Sequence, residues 1–180
     1  PKEFYAAVGP SWGWAQNAPF RRYKSWAHEG GIATPCIAWW PGQVPEGRIT
    51  HEVGHIIDFM PTFLELAGGQ YPKKHKGEKI LPVEGKSLVG ILKGEKRAGH
   101  EQIAWEWSGN RALREGQWKL VWDKLDKKWS LFDLKADRTE TNDLASANPK
   151  RTTRMAKDWF VWAEKCGFKL SKLAGKPELN

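Results

Sequence analysis

Three cations, Arg21, Arg22 and Lys24, stand together early in the chain, and Glu29-Gly30-Gly31 follows with the acid five residues after the lysine. That pattern suits anion chemistry. Arginine offers a planar fork for oxyanions, and lysine a compact charge that can stand close to a leaving-group, sulfonyl or phosphoryl oxygen. The glycines permit tight turns or positive φ and bring backbone close to a site. The same residues also fit a solvated basic loop leading into a buried strand, and their chemistry alone leaves both open.

His51 and His55 are four apart and could share a helix face as metal ligands, but Gly54 weakens such a helix and no third ligand is near. Either could instead face a substrate cleft. The acidic run Asp133 to Asp143 does not have the spacing of an EF-hand loop and reads as a turn after a strand. The chain has no HExxH, CxxC pair, P-loop, GxSxG or nucleotide-binding glycine fingerprint.

The elements that must position these residues alternate along the chain. Residues 1–18 read as loop. Ile32 to Trp40 (IATPCIAWW) predicts a buried strand ended by Pro41-Gly42, with Cys36 as a buried thiol. Asp58 to Ala67 predicts a helix capped by Asp58, with Met60, Phe63, Leu64 and Ala67 on its apolar face and Gly68-Gly69 as its stop. A basic, Pro/Gly-punctuated loop follows, then a helical turn over Leu88 to Leu92. Four short strands are expected at Ile103–Trp107, Arg111–Arg114, Trp118–Trp122 and Trp129–Leu134, forming an antiparallel meander. Met155, Trp159, Trp162 and Ala163 share one face of a helix from Asn148-Pro149 to about Cys166, which would cover that sheet. The tail from Phe168 reads as polar and loose. A composition change near Lys93 to His100 places a boundary, giving 1–98 and 99–180.

At 180 residues, with 40% apolar and 28% charged residues, the chain has the composition of a globular protein. No run of roughly 18 apolar residues exists, so no membrane span is expected. A formal charge of +8 would suit nucleic acid, but the basic residues are scattered among loops without a recognised motif. Nucleic acid is therefore not an expected partner. Twelve tryptophans spread over the chain are expected mostly in cores, with a few free to line a pocket.

The blocks PFRRYKSWAHEGGIATPCIAWWPG, DFMPTFLELAGGQYP, EGKSLVGIL, GNRALREGQWKLV and WSLFDLKADRTETNDLA resemble, in order, the C-terminal blocks of type I arylsulfatases. The most specific signs are the lysine five residues before EGG, the D-x-x-P-T block and the WKL…LFDL…NDLA series. The resemblance covers nearly the whole chain. It implies an α/β fold: the C-terminal part of an alkaline-phosphatase-like sulfatase domain plus a small antiparallel four-stranded sheet packed with a C-terminal helix. It implies hydrolysis of sulfate monoesters, aryl or carbohydrate, with Lys24 touching the sulfate ester. Arg21, Arg22, His51, His55, Asn110 and Arg111 are the expected substrate-binding residues, with Glu106 joining the last two as cleft residues at a hairpin that could equally serve only to stabilise itself.

The family's formylglycine arises from a C/S-x-P-x-R motif, which Cys36, followed by Ile37-Ala38, does not fit. Its calcium ion is expected in the complete enzyme with ligands outside this chain; no metal ligand is assigned here. The expected partners are a sulfate ester and the missing N-terminal part of the same protein, without which the chain should be inert. Family resemblance also implies a periplasmic or secreted location. A phosphodiesterase or phosphonate hydrolase of the same superfamily, or a non-catalytic anion-binding module, are the alternatives.

Overall fold

The computed structural model describes residues 8–169 and 174–176. In chain order the elements are α1 (Gly9–Asn17), α2 (Glu29–Ile32), a 3-10 turn (Ile56–Asp58), α3 (Phe59–Leu66), β1 (Lys74–His75), β2 (Glu78–Lys79), α4 (Val89–Lys93), β3 (Ile103–Trp107), β4 (Asn110–Glu115), β5 (Trp118–Asp123), β6 (Lys128–Asp133) and α5 (Pro149–Lys165). They form two compact units. One joins residues up to Pro35 with those from Glu101 onward, and the other is Cys36–His100. The break at His100 falls close to the sequence boundary at 98, but the segment bearing Lys24 groups with the later residues.

In the first unit β3-β4-β5-β6 form an antiparallel meander in sequence order, as the alternation predicts. Ser108 and Gly109 both take positive φ, 51° and 85°, which gives the β3–β4 turn the twist a two-residue hairpin needs. Both faces of the sheet are covered. On one, Leu113, Leu120 and Leu131 pack against Met155, Ala156, Trp159, Phe160 and Ala163 of α5. Leu120, Leu131, Met155 and Trp159 are 0% exposed, and each such burial stabilises the fold by about 1.5–3 kcal/mol. On the other face Ala112, Val121 and Phe132 meet Ala27 and Leu134.

Side chains alternate across a strand, so this second face also takes Asn110, Lys119 and Asp123, while Arg111 and Trp122 go to the α5 face. Part of the tail is fixed rather than loose. Arg111 Nη1 donates to the Ala174 carbonyl at 2.6 Å, and Trp129 Nε1 donates to that of Gly175 at 2.8 Å.

Residues 9–17 are helical, not loop; the predicted loop over 1–7 lies outside the described residues. Pro10 sits in the first turn, where a missing N–H costs nothing. Gly13 is the helix's buried residue, and a Cβ there would stand 3.2 Å from the Tyr23 ring.

In the second unit the polar centre is Asp58, 0% exposed. Its carboxylate accepts from the backbone N–H of His55 (3.0 Å) and Lys86 (2.8 Å) and from Arg97 Nη2 (2.9 Å), and lies 2.7 Å from His100 Nε2. Asp58 therefore does not cap α3 as predicted. Its backbone is already helical, at φ −76° and ψ −18°, whereas a capping side chain needs an extended residue; its carboxylate caps the 3-10 turn instead. The predicted apolar face of α3 is not a core face, since Met60 and Phe63 are exposed and Thr62 is the buried position.

The strand expected at Ile32–Trp40 is also absent. Ile32 closes α2, residues 33–40 take no regular secondary structure, and no described segment pairs with them; a strand exists only through its ladder. Ile37 and Trp39 are consequently 94% and 87% exposed. Cys36 is exposed too, and both it and Cys166 are free. Trp12, Trp14, Trp39, Trp40 and Trp107 are exposed, so the tryptophans are less uniformly core residues than their number suggests. The basic loop after α3 contains the exposed two-residue hairpin β1–β2.

Candidate functional site

Lys24 stands on a loop closed at its neck, where the Gly30 N–H donates to the Arg21 carbonyl at 2.9 Å. Within the loop Trp26 N–H donates to the Tyr23 carbonyl at 3.1 Å, and Arg22 and Ser25 hold positive φ of 66° and 79°. The two glycines are required by space. A Cβ on Gly30 would run into the Arg22 carbonyl, and one on Gly31 into that of Trp26. Lys24 itself is exposed and makes no ion pair or side-chain hydrogen bond among the described residues.

This loop lies against the sheet face opposite α5. Asn110 Nδ2 donates to the Ser25 carbonyl at 2.8 Å, while its Oδ1 accepts from the Lys124 N–H at 3.2 Å. Arg22 Nη2 donates to Asp123 Oδ2 at 2.6 Å, with its guanidinium 4.2 Å from the Trp26 ring centroid. At the neck, Lys119 Nζ lies 2.8 Å from both Glu29 Oε1 and Glu140 Oε1. The Glu29 N–H donates to Glu140 Oε2 at 2.8 Å, and Arg138 Nη2 donates to Glu29 Oε2 at 3.1 Å. Arg21 Nη1 donates to the Glu140 carbonyl at 3.1 Å.

Burial acts on both carboxyls at the neck and on the histidine beside them. It pushes the Glu29 carboxyl up, but Lys119 and Arg138 together outweigh it and hold the group below its ordinary value. In Glu140 burial wins over Lys119, helped by repulsion from Glu29, and the carboxyl is raised. His28, 1% exposed, is pushed down to about 3 by burial and by the nearby Lys119 and Arg21 charges, against the pull of Asp123. It is neutral at physiological pH.

The expected site residues thus divide. Arg21 and Arg22 are committed to Glu140 and Asp123, although both also line a cleft of about 570 Å³ with Trp14, Phe20, Thr139 and Thr141. Asn110 and Arg111 are 1% and 4% exposed and point to opposite faces, so adjacent residues of one strand do not share a cleft. Arg111 is sandwiched in aromatics, with its guanidinium carbon 5.3 Å from the Trp122 ring centroid and 5.0 Å from that of Trp159. Glu106 Oε1 accepts from the Gly109 N–H at 2.9 Å and braces the hairpin.

His51 and His55 belong to the other unit. His51 is exposed, and His55 ends an extended segment before the 3-10 turn, where its ring accepts from the Ile57 N–H at 3.4 Å. They do not share a helix face. Lys119, Glu140, Arg138 and Asp123 were not anticipated from sequence; the available signal was a cation inside the otherwise apolar WKLVW of β5.

Among the described residues no group of three or more His, Cys, Asp or Glu side chains could hold a metal ion. Also among them, no helix is long and apolar enough to cross a membrane.

Residues 20–158 match the family model described as N-sulphoglucosamine sulphohydrolase, C-terminal. An uncharacterized sulfatase of Schizosaccharomyces pombe is 30% identical over 165 residues, covering 88% of this chain and 30% of that protein. An N-acetylgalactosamine-6-sulfatase of Canis lupus familiaris is 33% identical over 116 residues, covering 64% of this chain and 21% of its own length. A solved structure from a glycosaminoglycan-metabolism locus of Bacteroides thetaiotaomicron shares the fold at a TM-score of 0.63 and 20% identity, covering 81% of this chain and 32% of that one. The chain spans less than a third of the length of these curated relatives.

Proposed function

The chain belongs to the N-sulphoglucosamine sulphohydrolase C-terminal family, and from that premise we propose that it is the C-terminal part of a sulfatase hydrolysing aryl or carbohydrate sulfate monoesters. The observation that carries this is Lys24, an exposed cation without an ion pair among the described residues, on a loop fixed at neck and tip. Hydrolysis cleaves the ester at sulfur, with water supplying the oxygen that completes the released sulfate and the alcohol or phenol leaving. Negative charge builds on the leaving oxygen and the sulfonyl oxygens as this happens. An ammonium already in place at those oxygens stabilises the transition state without reorganising.

A formylglycine nucleophile and a calcium ion belong to the same reading, supplied by a preceding segment of a longer protein. The exposed apolar residues Ile37, Trp39, Ile56 and Phe63 of the second unit are the surface that segment would cover. A periplasmic or secreted location belongs to this proposal as well. The test is hydrolysis of an aryl sulfate by the longer protein and by its Lys24→Ala variant. Loss of turnover in the variant is expected; unchanged turnover rejects the role of Lys24. The 180-residue chain alone should show no turnover.

A further inference from the structure

We propose that the sheet face bearing Asn110 and Lys119 sets where the Lys24 ammonium stands, which makes these two buried side chains positioning residues; this rests on the sulfatase reading above. The tip and the neck of the Lys24 loop are held separately, but by neighbouring strands. At the tip, Asn110 of β4 holds the carbonyl of Ser25, the residue after Lys24. At the neck, Lys119 of β5 stands between Glu29 and Glu140, and Glu140 in turn accepts from the Glu29 N–H.

β4 and β5 are paired with Arg114 opposite Lys119 and Arg111 opposite Trp122, so the two anchors share one rigid ladder. A shift of the loop along the sheet must break at least one of them. Asn110 already braces its own hairpin through Oδ1 and the Lys124 N–H. The bond from its Nδ2 to Ser25 crosses 85 residues of sequence and fixes the backbone next to Lys24. The lysine stem therefore starts from a defined point although its side chain is exposed.

The sharpest variant is Asn110→Asp, which keeps the acceptor for the Lys124 N–H and removes the donor to Ser25. Asn110→Ala serves as a second variant if the new carboxylate prevents folding. Turnover by the longer protein is measured on aryl sulfates whose leaving phenols become progressively less acidic. A displaced Lys24 stabilises the leaving oxygen less, so kcat should fall by a factor that grows along the series, to about ten- to a hundred-fold for the poorest leaving group. KM should stay near the parent value. A merely structural defect scales every substrate by the same factor, and that result, or no loss, overturns the proposal.

Lys24→Ala run in parallel separates the two ideas. If it steepens the leaving-group dependence while Asn110→Asp does not, the positioning role alone is overturned. If Lys24→Ala keeps full activity, the role of Lys24 fails and the positioning inference goes with it. In hydrogen exchange on the 180-residue chain, Asn110→Asp should speed exchange of the Trp26 amide while β5 amides keep their parent rates. Unchanged exchange at Trp26 counts against the tip anchor.

Discussion

The ammonium of Lys119, wholly buried, lies 2.8 Å from a carboxylate oxygen of Glu29, ninety positions away in sequence. This pair ties the glycine-bearing turn to the start of β5, and with Glu140 it forms a buried cluster of one cation between two acids. Burying charge is costly, and removing the shared cation strands the buried Glu140 carboxylate and leaves Glu29 with Arg138 alone.

Lys119→Met should therefore destabilise the first unit by about 3–5 kcal/mol, read by urea unfolding of the 180-residue chain. Adding Glu140→Gln should recover part of that loss, because the amide removes one stranded charge and still accepts from the Glu29 N–H. Additive losses in the double variant would show that the three groups do not act as a unit.

Lys24→Ala is expected to change the stability of the chain by less than about 0.5 kcal/mol, since the side chain is exposed and has no ion pair among the described residues. In the longer protein the same change should lower kcat/KM by about 10²–10³-fold, the loss typical of one transition-state charge donor. A large stability loss would assign Lys24 a structural role instead.

The Asp58 carboxyl is held below its ordinary value because, although burial pushes it up, the Lys86 and His55 amides, Arg97 and His100 outweigh that. A depressed carboxyl contributes stability above its unfolded value of about 3.9 and loses it as pH falls through the folded value. Asp58→Asn should thus destabilise the Cys36–His100 unit at neutral pH, with the difference from parent shrinking below about pH 4. Hydrogen exchange of the Lys86 amide across pH, compared between the two proteins, measures it. A constant difference down to the acid limit would contradict the charge-based account.

Arg111→Met keeps most of the stem packing but removes the guanidinium from its aromatic neighbours and from the Ala174 carbonyl. A loss of about 1–2 kcal/mol is expected, with red-shifted tryptophan emission as Trp122 and Trp129 lose the covering tail. Because its hydrogen-bond acceptor is the Ala174 carbonyl rather than a carboxylate, this contribution should depend little on salt. Strong salt dependence would point to an ion pair.

The four strands and α5 were legible because each carries its own period and its own turn residues: Ser108-Gly109 and Gly116 break the alternation, and Gly167 stops the helix. α1 was missed because nothing in GPSWGWAQN forms an apolar stripe; a close approach of Gly13 to Tyr23 packs it instead. The strand predicted at Ile32–Trp40 had the right residues but has no described partner, and apolar composition cannot supply one.

By itself the sequence determined the sheet-and-helix unit and, through the lysine five residues before Glu29-Gly30-Gly31, the place to look for an anion. Local periodicity and glycine spacing suffice for both. Tertiary structure decided what surrounds that lysine. Lys119 reads as an ordinary strand cation until the Lys24 loop covers its face of the sheet, and Asn110 and Arg111 read as neighbours until the pleat sends them apart. The anchors of the Lys24 loop depend on contacts across 85 and 90 residues, where burial turns a solvated charge into one that must be paired.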